Sequence, residues 1–180
     1  QLSATEKLDG TSATFVFYNG EFDVCSRNMS LLRSDNSFYW NMEKKYDLEA
    51  KLKNLGNFAI QGEICGPGIQ SNRLNLLEKQ LFVFDIYSID ERKYLSVFKF
   101  NQIIDQLKLT AVPHLENAEF YFETIDSFVS YANRKSMLNS LVEAEGVVLK
   151  PVFEQKSDVL KGDRLSFKVV NNNYLLKHNE

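Results

Sequence analysis

The sequence predicts a mixed α/β fold of the α+β kind, with antiparallel sheets and flanking helices. Phe and Tyr are frequent, at 14 and 8 residues, and aromatic side chains favour strands. Asn19-Gly20 separates two β-rich runs, residues 13–18 and 21–26, and both turn residues tolerate the positive φ of a tight hairpin. Apolar residues recur at helical spacing over residues 38–55 and 124–141, so we expect a helix in each.

The remaining elements follow from local composition. A short strand and then a helix near residues 101–108 are expected within residues 94–109, and Gly56 is suited to end the first helix. A core-facing packing role is favoured for that helix as a whole, and Trp40 is considered only as a residue that could touch substrate. Runs of β-branched and aromatic residues predict further strands at residues 58–65, 81–87, 145–150 and 165–170.

Bulk composition limits the possible functions. Apolar residues make up 44% of the chain, which argues against disorder, and no apolar run is long enough to span a membrane. The net charge of −3 argues against a surface covered with phosphate-binding lysines and leaves room for a local basic groove. Cys25 and Cys65 are too few for a disulfide framework, so we expect an intracellular protein, cytoplasmic or nuclear. Because the sequence lacks an initiator Met, residues 1–180 are expected to be one domain of a larger protein.

Several polar residues occupy unusual positions. Lys7-Leu8-Asp9-Gly10 is, by itself, a polar turn that leads into a strand, and the following hairpin would return Arg27 towards Lys7. Glu63 interrupts an apolar strand before the turn at residues 66–68, so it either faces water at an edge or lies in a polar cavity. His114 has no Cys or His at ligand spacing, so no metal role is expected for it.

Two later strands also carry charges. Phe84 precedes Asp85 in an apolar strand, and Phe82 lies two residues away on the same face; both are either core residues or part of a binding surface. In residues 145–150, the strand period of two places Glu145 and Lys150 on opposite faces, so these two side chains should not pair.

Taken in order, these motifs resemble those of the lysine nucleotidyltransferases, which comprise ATP-dependent RNA and DNA ligases and mRNA-capping enzymes. Lys7-Leu8-Asp9-Gly10 is similar to the signature Lys-x-Asp-Gly. Residues 61–72 resemble the Gly-Glu-x-x-Gly-Pro-Gly segment of RNA ligases, and residues 145–150 resemble the family's fourth motif. The similarity extends over nearly the whole chain and points to RNA ligases that carry an N-terminal oligonucleotide-fold module and seal nicks.

The resemblance implies the covalent nucleotidyltransferase fold, with antiparallel sheets around a nucleotide cleft that has Lys7 on one wall and Phe84 on another. It implies three steps: Lys7 takes AMP from ATP, AMP passes to an RNA 5′-phosphate, and a 3′-hydroxyl displaces it. The expected cofactors are ATP with Mg²⁺ or Mn²⁺, and the expected partner is RNA, as a nicked duplex or as free ends. No membrane partner is expected.

The resemblance also assigns roles to individual residues. Lys7 and Lys168 are the catalytic residues, Glu6 reads the adenine amino group, and Phe84 stacks on adenine, with Phe82 as a second candidate. Ser166 stands where the family usually has a lysine, so either Lys168 alone serves the phosphates or Lys150 compensates. The full nucleotide-binding set is Glu6, Lys7, Arg27, Glu63, Phe84, Lys150 and Lys168, and the metal set is Asp9, Glu63 and Glu145.

A lysine with the reference pKa of about 10.4 is protonated at neutral pH and cannot attack phosphorus. Nearby cations, a metal and Lys168, would disfavour the charged amine, so metal-free protein should be adenylylated poorly. Two alternatives remain at this point: a DNA ligase or capping guanylyltransferase, and an inert nucleotide-binding module. Ser166 is the feature that supports the inert module.

Overall fold

The computed structural model describes residues 1–119, 124–159 and 163–178. The strands in these ranges are β1 Leu2–Lys7, β2 Thr11–Tyr18, β3 Glu21–Cys25, β4 Phe58–Cys65, β5 Gln80–Ser88, β6 Lys93–Tyr94, β7 His114–Ala118, β8 Gly146–Pro151, β9 Lys156–Ser157, β10 Asp163–Arg164 and β11 Phe167–Val170. The helices are α1 Phe38–Tyr46, α2 Leu48–Leu55, α3 Val97–Leu107, α4 Ile125–Ala132 and α5 Asn172–His178. The mixed α/β fold with antiparallel sheets is therefore confirmed.

The chain divides into two compact units. The first, called the Lys7 unit below, comprises Gln1–Asp9, Arg73–Asn75 and Val112–Glu180. The second, called the Phe84 unit, comprises Gly10–Asn72 and Leu76–Ala111.

The Lys7 unit is built on a four-stranded antiparallel sheet with the order β11-β8-β1-β7. Val147 of β8, Val169 of β11 and Ala132 of α4 form a buried cluster, against which Phe128 packs. Helix α4 therefore covers one face of this sheet. Strands β9 and β10 pair as a separate two-stranded sheet.

The Phe84 unit is built on a five-stranded antiparallel sheet with the order β3-β2-β4-β5-β6. Its core joins inward residues of β2, β4 and β5 to the apolar faces of α1, α2 and α3. The strands contribute Phe15, Ile60 and Leu81 to this core, among others, and the helices contribute Leu52 and Ile104. Trp40 also packs there and is 4% exposed, so it is a core residue.

Most locally encoded elements are confirmed. Strand β2 pairs with β3 from Thr14 to Tyr18, and the turn residues Asn19 and Gly20 have φ values of 50° and 89°. Residues 38–55, predicted as one helix, form two. Asp47 breaks them because it adopts the left-handed conformation, with φ 53° and ψ 48°. Gly56 ends α2, as expected.

Two further predictions about elements were wrong. The helix predicted over residues 124–141 ends at Ala132, because Asn133 is extended, and Met137 and Leu141 of the following loop are 60% and 82% exposed. The polar segment at Lys7 is not a turn before the hairpin but the end of β1. Strand β1 pairs with β7 on one side and with β8 on the other. Its residues Ala4 and Glu6 are buried. In the described part of the chain, no helix is long and apolar enough to cross a membrane.

Candidate active site

Lys7 is the last residue of β1 and lies opposite Gly146 of β8. Its Nζ forms an ion pair and hydrogen bond with Glu145 Oε1, and the two side chains are 26% and 18% exposed. Glu145 immediately precedes β8, so the β1–β8 register brings together two residues that are far apart in sequence. The structure thus joins the predicted nucleophile to one predicted metal ligand.

The register of the sheet places three lysines on one face. Lys150 pairs with Ser3, and Lys168 pairs with Val148, which also pairs with Thr5. Cross-strand partners share a face, as do residues two apart on a strand, so Lys7, Lys150 and Lys168 project from the same side. This side, called the lysine face below, is opposite the one that carries Val147 and Val169 in the core.

Glu6 projects to the core side and is 2% exposed. Its Oε2 accepts a hydrogen bond of 2.8 Å from the backbone N–H of Met137. Its Oε1 is buried and has no hydrogen-bond partner within the described ranges. Burial raises the pKa of Glu6, and Ser136, the Met137 N–H and Arg134 oppose that rise. The site therefore contains a buried acceptor that fits an amino-group donor.

Asp9 follows β1 and is held by a residue that the sequence did not single out. Arg73 Nη1 lies 3.3 Å from Asp9 Oδ2, and the two side chains are 18% and 14% exposed. The same nitrogen donates a hydrogen bond to the hydroxyl of Tyr174 in α5. The only sequence signal for Arg73 is its position directly after the motif-like segment at residues 61–72.

Asn171 is a second residue that the sequence analysis missed, and it fixes the Glu145 segment. It is fully buried, and its Nδ2 donates to the carbonyl oxygens of Ala144 at 2.9 Å and Arg134 at 3.1 Å. Its own N–H donates to the Glu145 carbonyl at 2.9 Å. The backbone of Glu145 is therefore tied to the chain that follows β11.

Glu63 and Phe84 lie in the Phe84 unit. Glu63 is half-buried in β4, opposite Ser12 and Phe82. Phe84 is the extra residue of a β-bulge, because Gln61 pairs with Asp85 and Gly62 pairs with Val83.

The two phenylalanines of β5 differ from their neighbours. Leu81, Val83 and Ile86 belong to the apolar core of the Phe84 unit, whereas the core cluster of described residues contains neither Phe82 nor Phe84. Phe82 is nevertheless buried, and Phe84 is half-buried. The burial of Phe82 fits the core alternative for that residue, and the choice between core and binding surface for Phe84 stays a prediction.

Arg27 is exposed just beyond the end of β3, where the sequence predicted the return strand to end. Its predicted approach to Lys7 stays a prediction, because Arg27 and Lys7 belong to different units. The same holds for the joint metal set of Asp9, Glu63 and Glu145.

The donor chemistry of the predicted metal set fits Mg²⁺ or Mn²⁺, because all three members are carboxylates. In residues 1–119, 124–159 and 163–178, no three His, Cys, Asp or Glu side chains are grouped to hold a metal by themselves. A divalent ion would therefore complete its shell with water or phosphate oxygens, as Mg²⁺ commonly does.

Comparisons with known proteins show what the whole chain is similar to. The sequence model of the family described as RNA ligase matches residues 1–170. Among solved structures, a Naegleria gruberi RNA ligase point mutant with ATP and Mn is similar, with a TM-score of 0.89 and 32% identity over 99% of this chain and 52% of that chain. The same ligase with PPi has a TM-score of 0.88 and 32% identity over 99% of this chain and 51% of its own.

Another mutant of that ligase, with AMP and Mn, has a TM-score of 0.89 and 32% identity over 99% of this chain and 52% of its own. This chain thus spans about half the length of these structures. No curated protein matches the chain.

Proposed function

This chain belongs to the RNA ligase family, and we propose that it forms a covalent lysyl-AMP on Lys7 and transfers the AMP to RNA ends that are then sealed. The observation that carries this proposal is the position of Lys7, which is paired with Glu145 and shares the lysine face with Lys150 and Lys168. A nucleophilic amine needs both a proton acceptor and cations that bind the triphosphate, and this sheet supplies both.

In the first step, Lys7 Nζ attacks the α-phosphorus of ATP. A nitrogen–phosphorus bond forms, the bond from that phosphorus to the bridging oxygen breaks, and pyrophosphate leaves. The ammonium must first lose a proton, and Glu145 Oε1 can take it because it already accepts a hydrogen bond from Nζ. A divalent metal held by Asp9, Glu63 and Glu145 would stabilise the charge that develops on the phosphate.

The proposed nucleotide contacts extend the lysine face. Lys150 and Lys168 contact the phosphates, and the presence of Lys150 explains how Ser166 is tolerated where the family usually has lysine. Arg27 adds a further cation, Glu63 binds the ribose, and Phe84 stacks on adenine, with Phe82 as the alternative.

Base selection is proposed to rest on Glu6. Its Oε1 is a buried acceptor with no hydrogen-bond partner in the described part of the chain. The adenine amino group can donate to that oxygen, whereas the carbonyl oxygen of guanine would face it as a second acceptor. ATP is therefore the expected substrate rather than GTP. Because Glu6 and Lys7 face opposite sides of β1, the nucleotide would lie across the end of that strand.

The later steps use RNA. We propose that AMP moves from Lys7 to a 5′-phosphate and is displaced by a 3′-hydroxyl, in a nicked duplex or between free ends. Residues 1–180 would act as the adenylyltransferase domain, with a further nucleic-acid-binding domain outside this sequence. Cys25 and Cys65 are both free thiols, which supports an intracellular location, cytoplasmic or nuclear.

The test is incubation with α-labelled ATP or α-labelled GTP and Mg²⁺, followed by denaturing electrophoresis. The wild type should retain label from ATP, and Lys7→Ala should retain none. Lys44→Ala is the matched control, because Lys44 is also ion-paired, with Asp35, but lies on α1. A covalent GMP adduct would point to a capping enzyme, and a wild type without any adduct would point to an inert binding module.

A further inference from the structure

The Lys7 motif is held by two residues from distant parts of the chain. We propose that Arg73 and Tyr174 are positioning residues that fix the Asp9 carboxylate for adenylyl transfer, an inference that rests on the proposed function. Arg73 Nη1 lies 3.3 Å from Asp9 Oδ2 and also donates to the Tyr174 hydroxyl. The Arg73 guanidinium carbon lies 5.2 Å from the Tyr174 ring centroid, within the range of a cation–π contact.

Asp9, Arg73 and Tyr174 form a triad, and the burial of Tyr174 fixes its geometry. Tyr174 is 2% exposed, so its ring and hydroxyl occupy a fixed place in the Lys7 unit. Its hydroxyl accepts a hydrogen bond from Arg73 and thereby helps to hold the guanidinium that faces Asp9.

Arg73 reaches this place through an unusual chain path. Only Arg73–Asn75 belong to the Lys7 unit at this point, and the flanking chain on both sides belongs to the Phe84 unit. The three-residue segment is anchored, because Leu74 is buried and its carbonyl accepts a 3.1 Å hydrogen bond from Asn139 Nδ2. Its charged side chain is the one that meets Asp9.

Asp9 lies two residues after Lys7, so a change in the position of its carboxylate is expected to affect the reaction at Lys7. A partly buried carboxylate that loses its guanidinium partner is left with an uncompensated charge and freer rotamers. Arg73 and Tyr174 should therefore affect the rate of adenylyl transfer at saturating ATP more than the affinity for ATP.

The experiment measures lysyl-AMP formation in single turnover at varied ATP for Arg73→Met, Arg73→Lys and Tyr174→Phe. Arg73→Met should lower the maximal rate about 10- to 100-fold with KM changed less than about threefold. Arg73→Lys should recover part of that loss, because it restores the charge without the planar fork. Tyr174→Phe keeps the ring and should lose about three- to tenfold.

Arg33→Met is the matched control. Arg33 also lies 3.3 Å from a carboxylate, that of Glu49, and its guanidinium carbon lies 5.0 Å from the ring of Trp40. This control should keep the wild-type rate, because neither partner belongs to the Lys7 motif. Equal losses in Arg33→Met and Arg73→Met would overturn the proposal, as would a wild-type rate in Arg73→Met.

A double-mutant cycle tests whether Arg73 acts through Asp9. Urea unfolding of Asp9→Asn, Arg73→Met and the double mutant should give a coupling clearly different from zero, whereas additive effects would contradict the pairing. In the Asp9→Asn background, Arg73→Met should cause no further loss of rate. If Arg73→Met does not fold, Tyr174→Phe and Arg73→Lys decide by the same criteria. A wild type that forms no adduct would refute the proposed function, and the unfolding cycle would then still report on the triad.

Discussion

Glu6 and Lys7 are adjacent in the chain and have different environments because they point to opposite faces of β1. Glu6 packs beside the Met137 N–H on the core side, and Lys7 meets Glu145 near the lysine face. A slip of one residue in the β1–β8 register would exchange these environments. The register therefore determines that the Lys7 amine, and not the Glu6 carboxylate, lies beside Glu145.

Replacing Glu6 tests its buried environment through pH. Burial raises its folded pKa above the ordinary 4.5, so the folded state binds this proton more tightly than the unfolded state. Well below pH 4.5 both states are protonated and the cost is absent; as the pH rises through 4.5 and then through the higher folded pKa, the stability contributed by the protonated Glu6 is lost. The unfolding free energy of wild type minus that of Glu6→Gln should therefore fall with rising pH.

Urea titrations of both proteins from about pH 4 to about pH 8 measure this difference. Groups common to both proteins cancel, so the slope reports on Glu6. A difference that stays constant or rises with pH would be incompatible with a carboxylate made less acidic by burial.

Replacing Lys150 or Lys168 tests whether the lysine face binds the phosphates of ATP. Lys150→Ala and Lys168→Ala should each lower kcat/KM for ATP about 10- to 100-fold, because each removes a charge-assisted contact to phosphate. Lys156→Ala is the control, since Lys156 lies on β9 in a separate sheet. Lys150→Ala with wild-type kinetics would show that Lys150 does not compensate for Ser166.

The candidate residues of the short motifs could be named from the sequence, because each motif is a set of residue types only a few positions apart. Lys7, Glu63, Phe84 and Glu145 each lie in a segment with its own pattern. Arg73 and Tyr174 were not predictable, because their contact with Asp9 depends on tertiary packing between segments that have no shared pattern.

At the scale of elements, the close approach of β8 to β11 depends on Gly146. A Cβ on this residue would lie 2.0 Å from the carbonyl oxygen of Val169, which is backbone and cannot move aside without distorting β11. The glycine between Glu145 and the rest of β8 is therefore required by packing, and it lets the strand that carries Lys168 pair with β8.

Gly146→Ala should lower the free energy of unfolding by about 3 kcal/mol and reduce adduct formation, because β11 must shift to relieve the clash. Urea unfolding measures the first effect. Gly56→Ala separates the clash from the loss of a glycine as such, since a Cβ at Gly56 meets nothing within 4 Å and is strained only by its φ of 111°. A Gly146→Ala protein as stable as wild type would contradict the close contact.

The elements that the sequence predicted correctly are those with strong local signals. The β2–β3 hairpin follows from Asn19-Gly20, and β4 and β5 follow from continuous apolar runs. Strand β1 was missed because its polar residues read as a turn, and only pairing with β7 and β8 makes it a strand. The helix at residues 124–141 was predicted too long because exposed apolar residues of the loop kept the helical spacing.

At the scale of the whole molecule, the sequence predicted the family and the fold class but not the division of the chain. The Lys7 unit combines the N-terminal segment, three residues from the middle and the C-terminal part. Lys7 and Glu145 are 138 positions apart, and no local pattern encodes such a pairing. The order of the family motifs was the evidence that made their association predictable.

Removal of divalent metal tests the whole catalytic assembly. Adduct formation should fall about 100-fold or more when EDTA exceeds all divalent ions, because the phosphate charge is then unrelieved. Excess Mg²⁺ or Mn²⁺ should restore it, and the far-UV circular dichroism should stay unchanged throughout. Full adduct formation in EDTA would contradict a role for a divalent metal bound by Asp9, Glu63 and Glu145.

The most direct test of the central claim is peptide mapping by mass spectrometry after incubation of the chain with ATP and Mg²⁺. We predict one AMP per chain, located on the peptide that contains Lys7 and lost on acid treatment, as expected for a phosphoramidate. AMP on a peptide containing Lys150 or Lys168 instead, or no AMP at all on the folded protein, would contradict the assignment of Lys7 as the nucleophile.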